Sequence, residues 1–248
     1  MKSLILCEGK TDAILISYLL CKQWGWSWIS SKNKRFKNYQ IDVSEINNES
    51  AEWYIKDNNE LLICGVGGNA NFSNFFEDKI SSIQVNYNEE DIFKNIICVI
   101  DKDNLEIVDI ERKFCSSFSI ISIMKNNSWE KNTYKLNGFE NDVSINALLL
   151  IIPSESEGAL ETILLNSIAE DSYDKVIVDD VEDFVNLNRN KYSKYLYNNR
   201  LLMKSKLGAV FAIMSPQKVF TFIDEIIRSV DWEKSTLLLN LFEKLGEI

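Results

Sequence analysis

A chain of 248 residues can bury a full core, as one domain or as one domain with an elaborated end, and 46% hydrophobic residues exclude disorder. The formal net charge of −10 argues against a generally basic nucleic-acid binder, although a local basic stripe remains compatible with it. The absence of histidine excludes Cys/His zinc sites, Ser-His-Asp triads and imidazole acid–base chemistry.

Met1-Lys2-Ser3 leads straight into a short apolar run, Ser3 to Cys7, too brief for a helix and ended by Glu8-Gly9. No signal peptide or membrane-length apolar stretch follows, so a cytoplasmic protein without membrane contact is expected. From Thr11, a plausible helix cap, apolar residues at Ile14, Leu15, Tyr18 and Leu19 have helical spacing. The stretch Trp24-Gly25-Trp26-Ser27-Trp28 is expected to pack at the end of that helix, with a partner-binding surface as the other reading. A polar stretch over about 30–38 follows. A second apolar run, Leu61 to Val66, breaks at Gly67-Gly68 and precedes an amphipathic segment from Phe72 to Ile83. A third, Ile96 to Ile100, stops at Asp101-Lys102-Asp103-Asn104, before a further helix and a strand-like Ser119 to Met124. The polar region from Asn126 to Asp142 reads as an irregular insertion or hairpin, and Asn146 to Ile152 as another buried strand. Pro153-Ser154 predicts a helix from about Glu155 to Ile168. Val181 to Leu187, Tyr192 to Phe211, Pro216 to Val230 and Trp232 to Leu245 read as helical.

Short apolar runs alternating with helices predict an α/β fold with a largely parallel sheet flanked by helices. The core is expected over 1–170, with a helical C-terminal region, 171–248, packed on it. Cys7, Cys21, Cys64, Cys98 and Cys115 form no CxxC pair and are odd in number, which suits buried thiols in a reducing cytosol.

Three of the apolar runs end in Glu8-Gly9, Gly67-Gly68 and Asp101-x-Asp103. In an open α/β sheet the carboxyl ends of the strands share one edge, where ligands collect. Asp12, four residues after Glu8, can point back to that edge. Four carboxylates in one small volume favour a counter-charge, which Mg²⁺ or Mn²⁺ supplies through oxygen ligands. Each piece has a plainer reading: Glu8 as a helix-start acid, Asp101-x-Asp103 as a turn. The latter is no EF-hand loop, since Glu106 and Arg112 stand where glycine and glutamate are required. Gly9-Lys10-Thr11 fails as a Walker A motif because Leu4 stands at the first glycine position. Gly65-Val66-Gly67-Gly68-Asn69-Ala70 fits a dinucleotide fingerprint formally, with Glu89 or Glu90 as the acid, but their polar surroundings speak against it.

The strand followed by Glu8-Gly9-Lys10-Thr11-Asp12, then Gly67-Gly68, then a strand and Asp101-Lys102-Asp103, resembles the TOPRIM domain, a Rossmann-like fold, and most of all its OLD-like nuclease branch. The whole chain is similar to the small stand-alone proteins of that kind grouped as DUF3226. The resemblance implies a nuclease hydrolysing phosphodiester bonds of DNA or RNA with two Mg²⁺ or Mn²⁺ ions, in a setting such as phage defence or repair. It assigns Glu8 general acid/base and metal work, and Asp12, Asp101 and Asp103 metal ligation. Glu161 matches the branch's later metal-binding glutamate, with Lys206 as first and Lys204 as second choice for its catalytic lysine. Gly9, Gly67 and Gly68 become a loop that lets the backbone approach a phosphate. In such chemistry one ion activates a water and the other stabilises the leaving oxygen. OLD-type enzymes usually carry an ATPase, and this chain has no Walker motif, so an ATPase or other protein partner is implied. The alternative is a non-catalytic TOPRIM module whose metal site acts through a partner. Oligomeric state stays open, a homodimer included.

Two basic groups are candidates for nucleic-acid binding. Lys34, Arg35 and Lys37, with Lys32 nearby, are interleaved with Phe36 and Tyr39. Lys191, Lys194, Arg200 and Lys204, with Arg189 and Lys206, lie among Tyr192, Tyr195 and Tyr197. Cations can contact phosphates while aromatics stack on unpaired bases; the plainer reading is a solvated helix face with buried tyrosines.

Overall fold

A computed structural model of the chain describes residues 1–36, 39–81, 92–118, 121–134 and 142–248. Lys37, Glu89 and Glu90 lie outside the described residues, as do Ser119 and Ile120. Contacts divide the chain into two compact units, Met1–Glu157 with Lys244–Ile248, and Gly158–Glu243.

The first unit is built on a seven-stranded mixed sheet of order β2-β3-β4-β1-β5-β7-β6. Its strands are β1 Lys2–Cys7, β2 Ser27–Ile29, β3 Glu49–Lys56, β4 Asn59–Val66, β5 Phe93–Asp101, β6 Trp129–Tyr134 and β7 Val143–Ile152. The middle four, β4-β1-β5-β7, are parallel, and antiparallel strands extend both sides. Strands covered on both faces read as continuous apolar runs, which is why Leu4–Cys7, Leu61–Cys64, Ile96–Ile100 and Leu148–Ile152 are all buried. The outer strands are mixed in polarity because one side of each is near solvent.

Helix α1, Lys10–Trp24, contacts β1, β3 and β4. The helical turn α2 (Phe72–Phe75), the π-helical turns Phe76–Ser81 and helix α3 (Ile107–Ser117) supply a separate apolar layer with Leu4, Leu6, Cys98 and Ile100. Phe72 meets Phe114 edge-on at 5.2 Å and Phe76 meets Phe118 at 5.6 Å. Successive strand residues point to opposite faces, so α1 and α3 cover opposite sides of the sheet.

The second unit is helical: α4 Leu160–Ile168, α5 Ser172–Asn188, α6 Asn199–Met214, α7 Ile223–Ile227 and α8 Thr236–Leu241. Helix α4 packs against α5, α6 and α8, so it groups with the helices after it, whereas sequence placed a boundary near residue 170. Its start also differs from expectation: residues 153–159 are irregular and the helix begins at Leu160. The helix expected from Tyr192 begins instead at Asn199, because Asn198 caps it by accepting from Leu201 N–H at 2.8 Å. Val181 to Leu187 proves to be the end of the longer α5, capped by Asp171. Pro216 to Val230 and Trp232 to Leu245 resolve into short turns around α7 and α8.

Within the expected irregular insertion, Trp129–Tyr134 forms strand β6, antiparallel to β7. Residues 121–124, expected as strand, are not one. The buried Asn132 holds them: its Oδ1 accepts from Ser122 N–H at 2.8 Å and Ile123 N–H at 2.9 Å, and its Nδ2 donates to Ile123 O at 2.8 Å. All five cysteines are free, with Cys7, Cys64 and Cys98 buried. Among the described residues no helix is long and apolar enough to cross a membrane.

Candidate metal centre

The parallel register pairs Cys7 of β1 with Gly65 of β4 on one side and Val99 of β5 on the other. Glu8, next after Cys7, and Asp101, two positions after Val99, therefore stand near each other at the strand ends. Asp101 N–H donates to Glu8 Oε1 at 3.0 Å. Past this point the chain leaves β1 toward α1 and leaves β5 toward α3, on opposite faces. Adjacent strands whose connections diverge in this way open a crevice at their carboxyl ends, the position at which α/β folds place ligands.

Gly68 N–H donates to the Glu8 carbonyl at 2.7 Å, so the glycine loop after β4 closes on the same residue. Gly67 has φ +80, and a Cβ there would stand 2.4 Å from Asn47 O, so only glycine fits. The turn before β3 and the start of that strand, which line this loop, were not singled out from sequence. The Asn48 side chain lies against Gly9, and Ser50 Oγ accepts from Gly65 N–H at 3.2 Å. The turn's visible signal was the Asn47-Asn48 pair.

Helix α1 starts at Lys10 with Gly9 as its cap residue, so the expected Thr11 cap is displaced by two positions. Gly9 N–H donates to Asp12 Oδ2 at 3.0 Å, which ties buried Asp12 to the first turn of its helix. Asp103 sits at φ 52 on an exposed turn just beyond β5, a conformation that aspartate tolerates better than most residues. The Cys7 thiol donates to Cys64 O at 3.2 Å. Burial pushes this thiol well above its ordinary range, and the neighbouring Asp12, Cys64, Glu8 and Asp101 raise it further. One buried sulfur thus feels three of the four carboxylates that sequence singled out. Cys7 itself is a protonated core residue rather than a nucleophile.

These side chains offer hard oxygen donors, the chemistry that suits Mg²⁺ or Mn²⁺. Their present spacing is looser than ligation requires. Among the described residues no three His, Cys, Asp or Glu side chains stand close enough to hold one ion. Glu8 and Asp12 are instead drawn onto main-chain amides.

The remaining candidates lie in the helical unit. Glu161, in the first turn of α4, forms an ion pair with Lys204. Lys206, first choice from sequence, is buried and pairs with Glu182 at 2.5 Å. The lysine brought to Glu161 is therefore Lys204.

The first basic group does not present its aromatics to solvent. Phe36 and Tyr39 are buried against Trp53, Phe36 stacking on it with ring centroids 4.2 Å apart. Arg35 pairs with Glu60, while Lys34 is exposed. Of the tryptophan stretch, Trp26 is buried and Trp28 is exposed, with its indole N–H donating to Glu52 at 2.7 Å.

No curated protein matches the chain. The crystal structure of hypothetical protein PH0156 from Pyrococcus horikoshii OT3 has a similar fold, with a TM-score of 0.52 at 17% identity over 99% of this chain and 98% of that one. A family model described as "Protein of unknown function (DUF3226)" matches residues 2–223, and the chain belongs to that family.

Proposed function

We propose that the chain is a metal-dependent nuclease of OLD-like TOPRIM type, hydrolysing phosphodiester bonds in DNA or RNA. The observation that carries this reading is the meeting of Glu8 with Asp101 at the divergence of β1 and β5. Glu8 and Asp101 would hold a divalent cation with Asp103 and Asp12, the latter two by turning toward it. A cation there supplies positive charge against the scissile phosphate and acidifies a water. Glu8 is then held in place by the Asp101 amide and can accept or return a proton. The glycine pair 67–68 leaves room for a phosphate against the backbone. By resemblance, Glu161 matches the branch's later glutamate and Lys204 its lysine, Lys204 being preferred to Lys206 for its ion pair with Glu161 within the helical unit.

The test is cleavage of mixed single- and double-stranded DNA and RNA with Mn²⁺ or Mg²⁺. Glu8→Gln keeps an acceptor for the Asp101 amide and removes only the charge, so its activity should vanish while its fold persists. Undiminished cleavage by Glu8→Gln overturns the proposal.

One observation favours a second reading, a metal-binding module that acts through a partner protein. The carboxylates of Glu8 and Asp12 rest on amides and do not stand at ligand spacing. Metal binding without cleavage of any nucleic acid would select that reading.

A further inference from the structure

Between Asp183 and Asp224 the chain carries seven Lys and Arg and no acidic residue, although its formal net charge is −10. Lys204 and Lys206 are taken up by carboxylates from neighbouring helices. Of the other five, Arg189, Lys191 and Lys194 lie on the connection between α5 and α6, residues 189–198, Arg200 lies at the start of α6, and Lys218 lies beyond its end.

That connection is an ordered turn. Tyr192 N–H donates to Asn188 O at 2.9 Å, Leu196 N–H to Tyr192 O at 3.1 Å, and Arg189 reaches across to Asn199 Oδ1 at 3.0 Å. Leu196 is buried and anchors the turn, while the residues on either side of it point outward: Tyr195 is 65% and Tyr197 70% exposed. Tyr18, Tyr39 and Tyr54, by contrast, are core residues. Exposing large aromatic rings forgoes burial that would stabilise the fold, and rings grouped with cations form a surface that suits a flat, anionic ligand. Lys191 Nζ lies 5.3 Å from the Tyr192 ring centroid and Lys194 Nζ 5.2 Å from that of Tyr195. Each ammonium group thus stands at cation–π distance from its ring.

Rings at solvent, two of them (Tyr192 and Tyr195) with an ammonium group beside them, match a chain of unstacked bases joined by phosphates. A duplex offers phosphates but keeps its base faces covered. An acidic peptide offers charge without flat surfaces to stack. We propose that the α5–α6 turn is a binding surface for an unpaired nucleic-acid strand, with Tyr195 and Tyr197 stacking on bases and Lys191 and Lys194 meeting the phosphates. The proposal shares only the nucleic-acid class of partner with the function above, and its test runs without metal so that the two fail separately.

The test is fluorescence anisotropy of the full chain with a labelled oligothymidylate in EDTA. The wild type should prefer the oligothymidylate to a blunt duplex of equal length. Tyr195→Ala with Tyr197→Ala should weaken binding by about thirtyfold or more, as expected for two lost stacking contacts. Lys191→Ala with Lys194→Ala should flatten the slope of log affinity against log salt by about 1.4, or about 0.7 for each single-strand phosphate contact. All four residues are exposed, and unchanged circular dichroism would confirm that the variants fold. Equal affinity of the tyrosine variant and wild type, a preference for the duplex, binding to poly-glutamate as tight as to the oligothymidylate, or no binding would each overturn the proposal.

Discussion

Gly65→Ala perturbs the candidate site without touching a carboxylate. The added Cβ would stand 2.7 Å from Gly9 C and 2.9 Å from both Gly9 O and Ser50 Oγ. Two of these atoms belong to the main chain of the segment leaving β1, so relief requires the ends of β1 and β4 to part. Overpacking of this kind costs about 1–3 kcal/mol. The stiffer unfolded chain that alanine brings offsets about 0.4–1 kcal/mol of it. A net loss of about 1–2 kcal/mol corresponds to a fall in Tm of about 2–8 °C for a chain of this size. Because Gly9 follows Glu8 directly, the same shift should also weaken divalent-cation binding. Urea unfolding followed by circular dichroism measures the loss, and Gly208→Ala serves as control. A Cβ at Gly208 in α6 meets nothing within 4 Å, so that variant should gain about 0.5–1 kcal/mol. A Gly65→Ala protein as stable as the wild type would refute the close approach of β1 and β4 at this point.

Asn132→Ala strips hydrogen bonds from the Ser122 and Ile123 main chain and should cost about 2–3 kcal/mol in urea unfolding. At Glu49, burial pushes the carboxyl up, but hydrogen bonds from Lys79 and Ser44 N–H outweigh it and hold the group below its usual 4.5. Its folded value lies below its unfolded one, so the stabilisation is present above about pH 4.5 and is lost as pH falls through the folded value. The stability gap between wild type and Glu49→Gln should therefore close in acid, as Tm against pH would reveal. Lys206→Met keeps the buried stem and releases Glu182, which is 51% exposed, to water; it should cost about 1 kcal/mol or less. Lys206→Ala should cost more than Lys206→Met, through lost packing.

The middle of the sheet was legible because strands covered on both faces are continuous apolar runs: Ser3 to Cys7, Leu61 to Val66, Ile96 to Ile100 and Asn146 to Ile152 all lie within strands. So was the meeting of Glu8 with Asp101, which follows from two such runs ending in acids and pairing in parallel. The outer strands were not. Glu49–Lys56 and Trp129–Tyr134 mix charged and apolar residues, since each lies outside the parallel centre of the sheet. Tyr192 to Leu196 has helical spacing, yet Asn198 stops the helix from continuing by capping the next one. The choice between Lys204 and Lys206 could not be made from spacing. Two positions apart on a helix they point about 200° apart, and only the packing of α4 and α5 on α6 decides which meets Glu161.

The central claim, that Glu8 and Asp101 together grip a doubly charged ion, is tested most directly by calorimetric titration of Mn²⁺ into wild type, Glu8→Gln and Asp101→Asn. Saturable binding by the wild type, weakened at least about tenfold in both variants, is the result expected from losing one charged ligand each. The same heats from all three proteins, or none from the wild type, would contradict it.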